Sequence, residues 1–302
     1  MTRMTLKYFM LAALLQLGIS NVMADEVMLK PFVLASKGTG TLAEKTEQSK
    51  AALTAGGFTV VGEYSPYADA NILIVTNDEM KKNAAASEHG GFGAAQRVAI
   101  TKVKDNVQVS YTNPIYMANA YRMKDDLSGV AAGLKAALGK VEEFGSKQGM
   151  TASKARKYHY MIAMEYFDEP SVLAEYGSYD EAIKYVDTGL ASNKYGVSKV
   201  YRVDVPGKQE TIFGVAMKGA TEADKYMDDR FIMSEIDFRD IKSTAHLPYE
   251  ILVSGNKVYA LYARFRIAIN FPDLSMMGQN SFMNIMKTPE AIRAALQKTV
   301  QK

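Results

Sequence analysis

The chain has 302 residues, 48% of them hydrophobic and 23% charged, a formal net charge of +3, and neither cysteine nor tryptophan. Without cysteine there is no disulfide framework and no thiolate metal centre, so stability must come from core burial, and the length suits two domains. Lys and Arg (36) nearly balance Asp and Glu (33) without any basic block, which argues against a phosphate-binding nucleic-acid surface.

At the start, Arg3 and Lys7 flank a mostly apolar run over residues 8–19, followed by Asn21-Val22-Met23-Ala24 and the acidic pair Asp25-Glu26. This is the layout of a cleavable signal peptide over residues 1–24, with small residues at the −3 and −1 positions, and it predicts a periplasmic or secreted mature chain. The apolar run is too short to cross a hydrocarbon layer of ~30 Å, and no later stretch reaches about 18 apolar residues. With no cysteine to accept a lipid, no membrane anchor is expected. Without Arg3 and Lys7 the formal charge falls to +1.

The mature sequence reads as the same order of elements twice. Thr41 with Glu44 three residues later forms a capping box that opens a helix over 41–53, stopped by Gly56-Gly57. Strands are predicted over 58–64 and 71–76. A hairpin follows, 97–103 and 107–111 around Lys104-Asp105-Asn106, and then a closing amphipathic helix over 126–144. In the second half, Ser178 and Glu181 form the equivalent capping box for a helix over 178–191, with strands at 197–205 and 211–217. Its hairpin is 249–253 and 257–263 around Ser254-Gly255-Asn256, and its closing helix spans 289–300 with Pro289 in the permitted first turn. Residues 145–155, small and polar, read as a linker. The expected fold class is α+β: two tandem copies of an antiparallel sheet with covering helices, arranged as a pseudo-twofold pair, in domains 25–147 and 156–302.

The second half resembles the DUF302 family of small α+β domains. The residues that carry the resemblance are Ser178-Tyr179-Asp180-Glu181-Ala182, Tyr195-Gly196-Val197-Ser198-Lys199-Val200-Tyr201, Leu247-Pro248-Tyr249-Glu250-Ile251-Leu252-Val253 and Gly255-Asn256-Lys257-Val258-Tyr259. The first half is similar through Gly57-Phe58-Thr59-Val60-Val61 and through residues 107–114, ending in Asn113-Pro114. Where the first copy has Asn-Pro, the second has Ala263-Arg264, a departure from the pattern. The resemblance implies a fold and frequent dimer-like pairing; the family carries no agreed activity and supplies no catalytic residue.

Sequence signals for chemistry are few. Only His89, His159 and His246 are present, with no His-x-x-x-His spacing, no Gly-x-Ser-x-Gly elbow and therefore no catalytic residue to name. The run His89-Gly90-Gly91-Phe92-Gly93 lacks the Lys-Ser/Thr of a phosphate loop and reads as a mobile loop. Tyr111, Tyr116 and Tyr121 cluster where the first hairpin ends, fit for core and rim packing or for lining a groove, and Tyr111, Asn113 and Tyr116 are the candidate ligand-binding residues. Arg264 and Arg266 alternate with Phe265 and Ile267, so that on a strand both guanidinium groups would share one face and could clamp an anion or pair with Asp237 or Asp240.

Methionine numbers 18 and crowds at Met276, Met277, Met283 and Met286 in an expected loop over 271–288, with packing against the core as the favoured role. In an exported chain without cysteine, these thioethers together with His159 and Met161, placed on one face of a strand over 158–164, offer soft ligands for copper or haem. The expectation that follows is an exported, non-enzymatic binding or interaction module for a small ligand or protein partner, with self-association compatible. A periplasmic redox or soft-metal protein is the alternative, and no cofactor is otherwise indicated.

Overall fold

The computed structural model describes residues 26–161 and 164–302; the expected signal peptide lies outside the described residues. In the first half the elements are β1 (Phe32–Gly38), α1 (Leu42–Ala55), β2 (Thr59–Tyr64), β3 (Ala70–Thr76), α2 (Asp78–Ala86), β4 (Gln96–Val103) and β5 (Asn106–Thr112). Then come α3 (Pro114–Ala120), α4 (Ser128–Leu138), β6 (Glu142–Phe144) and the short α5 (Ala152–Arg156). The second half runs β7 (Ser171–Glu175), α6 (Tyr179–Ser192), β8 (Val197–Asp204), β9 (Glu210–Met217), α7 (Asp229–Ile236), β10 (Tyr249–Ser254) and β11 (Lys257–Ala260), closing with α8 (Ala263–Asn270) and α9 (Thr288–Val300). The chain is α+β: one sheet has the order β2-β3-β4-β5-β1-β6, the other β8-β9-β10-β11-β7, and neighbouring strands are antiparallel. Numbered within its own half, each sheet contains the strand order 2-3-4-5-1.

Local chemistry explains where the elements begin. Thr41 accepts from the Glu44 amide while Glu44 reaches back to the Thr41 amide, the reciprocal box expected at α1. At α6 the box is only half formed, because Ser178 caps the Glu181 amide but the Glu181 carboxylate takes the Gly177 amide instead. The β4–β5 hairpin shows how one sheet serves two neighbours. Val98, Ile100, Val109 and Tyr111 are buried on the face toward α1 and α4. The opposite face carries Arg97, Thr101, Gln108 and Ser110, equally buried. A polar sheet face is tolerated in the interior only if another element satisfies it. Here the second half does so: Thr101 donates to Thr244 (3.0 Å), Gln108 donates to the Asp240 carbonyl (2.7 Å) and accepts from the Lys242 amide (2.9 Å), and Ser110 donates to the Lys242 carbonyl (3.4 Å).

Several expectations need correction. The helix predicted over 126–144 ends at Leu138, where Gly139 takes φ +92 and its amide closes on the Lys135 carbonyl; residues 142–144 instead add β6 to the edge of β1. Residues 145–155 are not a loose linker, since Leu29 and Met150 exchange both backbone hydrogen bonds (2.9 Å each) and α5 follows. No strand covers 158–161. The segment read as a strand through Ala263 stops at Ala260, and Arg264 and Arg266 lie on helix α8, on well-separated sides rather than one strand face. The glycine run is no mobile loop but a buried 3₁₀ turn over Gly90–Gly93, anchored where the Gly91 amide donates to Glu210 across the halves (2.5 Å).

Candidate functional site

Where the two halves meet, the edge strands β2 and β8 touch. Gly62 lies so close to Tyr201 that a β-carbon on it would sit 2.7 Å from the tyrosine Cβ. Beside this contact the β2–β3 hairpin turn, Tyr64-Ser65-Pro66-Tyr67-Ala68-Asp69, faces the ends of β8 and β9 and helix α7 across a cleft of about 720 Å³. The turn is held by the Ala70 amide on the Tyr67 carbonyl (3.1 Å) and the Lys102 amide on the Asp69 carbonyl (2.8 Å). On the other wall, Gly196 adopts φ +70 with the Lys218 carbonyl over its face, so no side chain fits there, and the Lys218 amide donates back to the Gly196 carbonyl (2.8 Å).

Three aspartates organise the α7 side. Asp228 caps the helix through the Phe231 amide (2.9 Å) and binds the Gly219 amide with its other oxygen (2.9 Å), which fixes α7 against the end of β9. Asp229 is buried; its Oδ2 accepts from the Tyr64 hydroxyl of the opposite half (2.6 Å) and from the Met217 amide (2.9 Å), and its Oδ1 has no partner among the described residues. Loss of hydration pushes its carboxyl up to about 7, against the pull of the two donors and of the Arg266 charge. Asp237, at the far end of α7, accepts from the Ser243 amide (2.9 Å), leaves Oδ2 without a hydrogen bond among the described residues, and is raised by burial to about 6. Lys242 reaches the Asp237 carbonyl (2.7 Å). Tyr67 meets Thr244 (3.3 Å), and burial raises both cleft tyrosines, Tyr64 and Tyr67, above the ordinary phenol range.

Deeper in the seam is a second polar group with no opening of its own. Glu250 Oε1 accepts from Arg97 (2.9 Å) and from the Tyr201 hydroxyl (2.8 Å), while Oε2 lies 3.6 Å from Arg266. Arg266 also donates to the carbonyls of His246 (2.6 Å) and Pro248 (2.5 Å), and its guanidinium lies 4.4 Å from the Tyr249 ring centre. Burial, with the Arg266 and Arg97 charges, holds His246 well below its ordinary range. Two arginines, one carboxylate and a neutral histidine in a closed site make a structural tie rather than a reactive centre.

None of the five ligand-binding candidates named from the sequence lines this cleft, so each is described by the partner it has. Tyr111 donates to the Gly139 carbonyl (3.2 Å), Asn113 to the Lys30 carbonyl (2.9 Å) and Glu143 (3.0 Å), and Tyr116 to the Ile269 carbonyl across the halves (2.6 Å). Arg264 pairs with Glu165 and Glu290, and Arg266 with Glu250; neither pairs with Asp237 or Asp240. The methionines expected to pack singly into the core do not: Met276, Met277, Met283 and Met286 are 43–73% exposed, and Met161 is 50% exposed. His159 is a part-buried ring stacked on Tyr166 (4.2 Å), with Nε2 against the Met164 carbonyl (2.9 Å). Among the described residues no group of three or more His, Asp or Glu is placed to hold a metal ion, and no helix is long and apolar enough to cross a membrane.

The residues that do build the cleft carry no signal in the sequence. Tyr64 and Asp229 are 165 positions apart, and Asp228-Asp229 looks like any acidic helix start. No family model, no curated protein and no solved structure matches this chain.

Proposed function

We propose that this protein is an exported, non-enzymatic binding module, two fused copies of one DUF302-like α+β unit related by a pseudo-twofold, which receives a small ligand in the cleft at the seam between its halves. The observation that carries the reading is the cleft itself: a concavity of about 720 Å³, within the size range of small-molecule sites, walled by residues from both halves. The matching strand order of the two sheets supports the fused-copy reading. The signal-like residues 1–24 support export. A binding role suits carboxylates that are anchored by backbone amides, as Asp228, Asp229 and Asp237 are, because their oxygens hold the walls in place.

The test places a bulky side chain in the mouth. Ala68 is exposed at the tip of the β2–β3 turn and lines the cleft, so Ala68→Trp leaves the core untouched. A small-molecule library screened by ligand-observed NMR is expected to give binders to the wild-type protein that Ala68→Trp loses. A screen whose binders are all indifferent to Ala68→Trp, or one that yields none, would sink the proposal.

A further inference from the structure

Four cationic side chains line the cleft, Lys102, Lys218, Arg230 and Lys242, and among the described residues none has a carboxylate oxygen within 4.0 Å. Other surface cations, such as Lys37, Lys82 and Lys104, likewise have no carboxylate in reach among the described residues, so what distinguishes these four is that they gather around one concavity. Asp69, Asp228 and Asp237 also line the cleft and do not offset this excess equally. Asp228 is engaged by two amides at the positive end of α7, Asp237 is buried in the wall with its own amide donor and close enough to Lys242 to feel its charge, and of the three only Asp69 is exposed. Lys102 comes from the first half and Lys218, Arg230 and Lys242 from the second, so the positive groups surround the opening rather than sit on one element.

Between them the walls are mixed, with Ser65, Thr101, Asn193, Ser198 and Ser234 beside an apolar part. In the apolar part, Tyr64 and Tyr67 have their hydroxyls engaged by Asp229 and Thr244, which leaves their rings to present carbon beside Pro66, Ala216, Met217 and Met233. A concave site with an apolar part and cations around its opening is complementary to a compact apolar body carrying a terminal anion. From this we infer that the ligand of the cleft is a small organic anion, a carboxylate or phosphate ester on an aromatic or aliphatic body, with the anion held by Lys102, Lys218 and Arg230. The inference rests on the cleft being the binding site.

Four probes of one shape separate the possibilities: benzoate and phenyl phosphate as anions, benzyl alcohol as the neutral body and benzylamine as the cation. Binding to the full mature chain is read by ligand-observed NMR titration, for wild type, for Ala68→Trp and for the triple variant Lys102→Gln/Lys218→Gln/Arg230→Gln, whose three positions are all exposed. The anions are expected to bind at least tenfold more tightly than benzylamine. Each cation removed should weaken them by up to about fivefold, the range of exposed charge pairs, and Ala68→Trp should abolish them. The stronger of benzoate and phenyl phosphate distinguishes a carboxylate from a phosphate ligand. If benzylamine or benzyl alcohol binds as well as the anions, or the triple variant binds the anions unchanged while Ala68→Trp does not, the anion preference is wrong and the cleft survives as a site. If Ala68→Trp alters the binding of none of the four probes, the inference and the underlying reading fall together.

Discussion

Replacing Asp229 by asparagine should turn a pH-dependent stability into a flatter one. The carboxyl is 1% exposed and burial pushes it up to about 7, so its protonated form is the one the folded state prefers. Because the folded value lies above the unfolded one, near 3.9, the contribution to stability is complete below about pH 4, is lost as the pH rises toward 7, and is level above that. Roughly three units at about 1.4 kcal/mol each give a span of about 4 kcal/mol. An asparagine at this position still offers an oxygen to the Tyr64 hydroxyl and the Met217 amide but cannot ionise. Its buried amide donors lack partners at every pH, a constant offset of about 1–3 kcal/mol. The difference in stability between variant and wild type should therefore move in the variant's favour by about 4 kcal/mol between pH 4 and pH 8. Asp237, also raised, titrates in both proteins and cancels in that difference. Urea unfolding of both proteins at half-unit steps from pH 4 to 8 measures it. A difference that is constant with pH, or one that moves toward the wild type as pH rises, would refute the assignment of a protonated Asp229 to the folded seam.

Two further outcomes follow from the closed part of the seam. Glu250→Gln leaves Arg97 and Arg266 facing each other's charge without a carboxylate, and should cost about 3–5 kcal/mol by denaturant titration, with little dependence on added salt because the site is shielded. Gly214→Ala puts a methyl group into the ring of Tyr201, which must swing away from Glu250. Overpacking and the lost hydrogen bond together should cost about 2–4 kcal/mol, whereas Tyr201→Phe/Gly214→Ala should recover little, since the ring itself is the obstacle.

What the sequence discloses is what short-range chemistry controls. Thr41 with Glu44 and Ser178 mark their helices because an N-cap acts within one turn, and the β4–β5 and β10–β11 hairpins are legible because a strand, a two-residue turn and a strand adjoin in the chain. Strands β1 and β7 are hidden for the opposite reason: Phe32 pairs with Thr112 and Ser171 with Ala260, partners some eighty residues on that no turn announces. Helix α8 passes for a strand because seven of its eight residues are buried, which erases the 3.6-residue period and lets the Arg-Phe-Arg-Ile alternation imitate a pleat. Gly139 is a stop signal masked by the apolar Val141 and Phe144 beyond it, residues that serve β6 and its approach. The cleft is illegible for a stronger reason, since the side chains that build it are ordinary turn and cap residues until the halves dock.

The ties across the seam join residues far apart along the chain: Gly91 to Glu210 spans 119 positions, Arg97 to Glu250 spans 153 and Tyr64 to Asp229 spans 165. Most strand pairings, by contrast, close within one half and over much shorter separations. The longest separations therefore belong to the docking of the halves, and loop-closure entropy must be met before these ties form. Until that moment Arg97 lacks its carboxylate, whereas Glu250 has Tyr201 and Arg266 within its own half. Contacts made after the transition state govern how fast a protein comes apart more than how fast it forms. The seam that shapes the cleft is thus also expected to act as a clasp, slowing the unfolding of the chain.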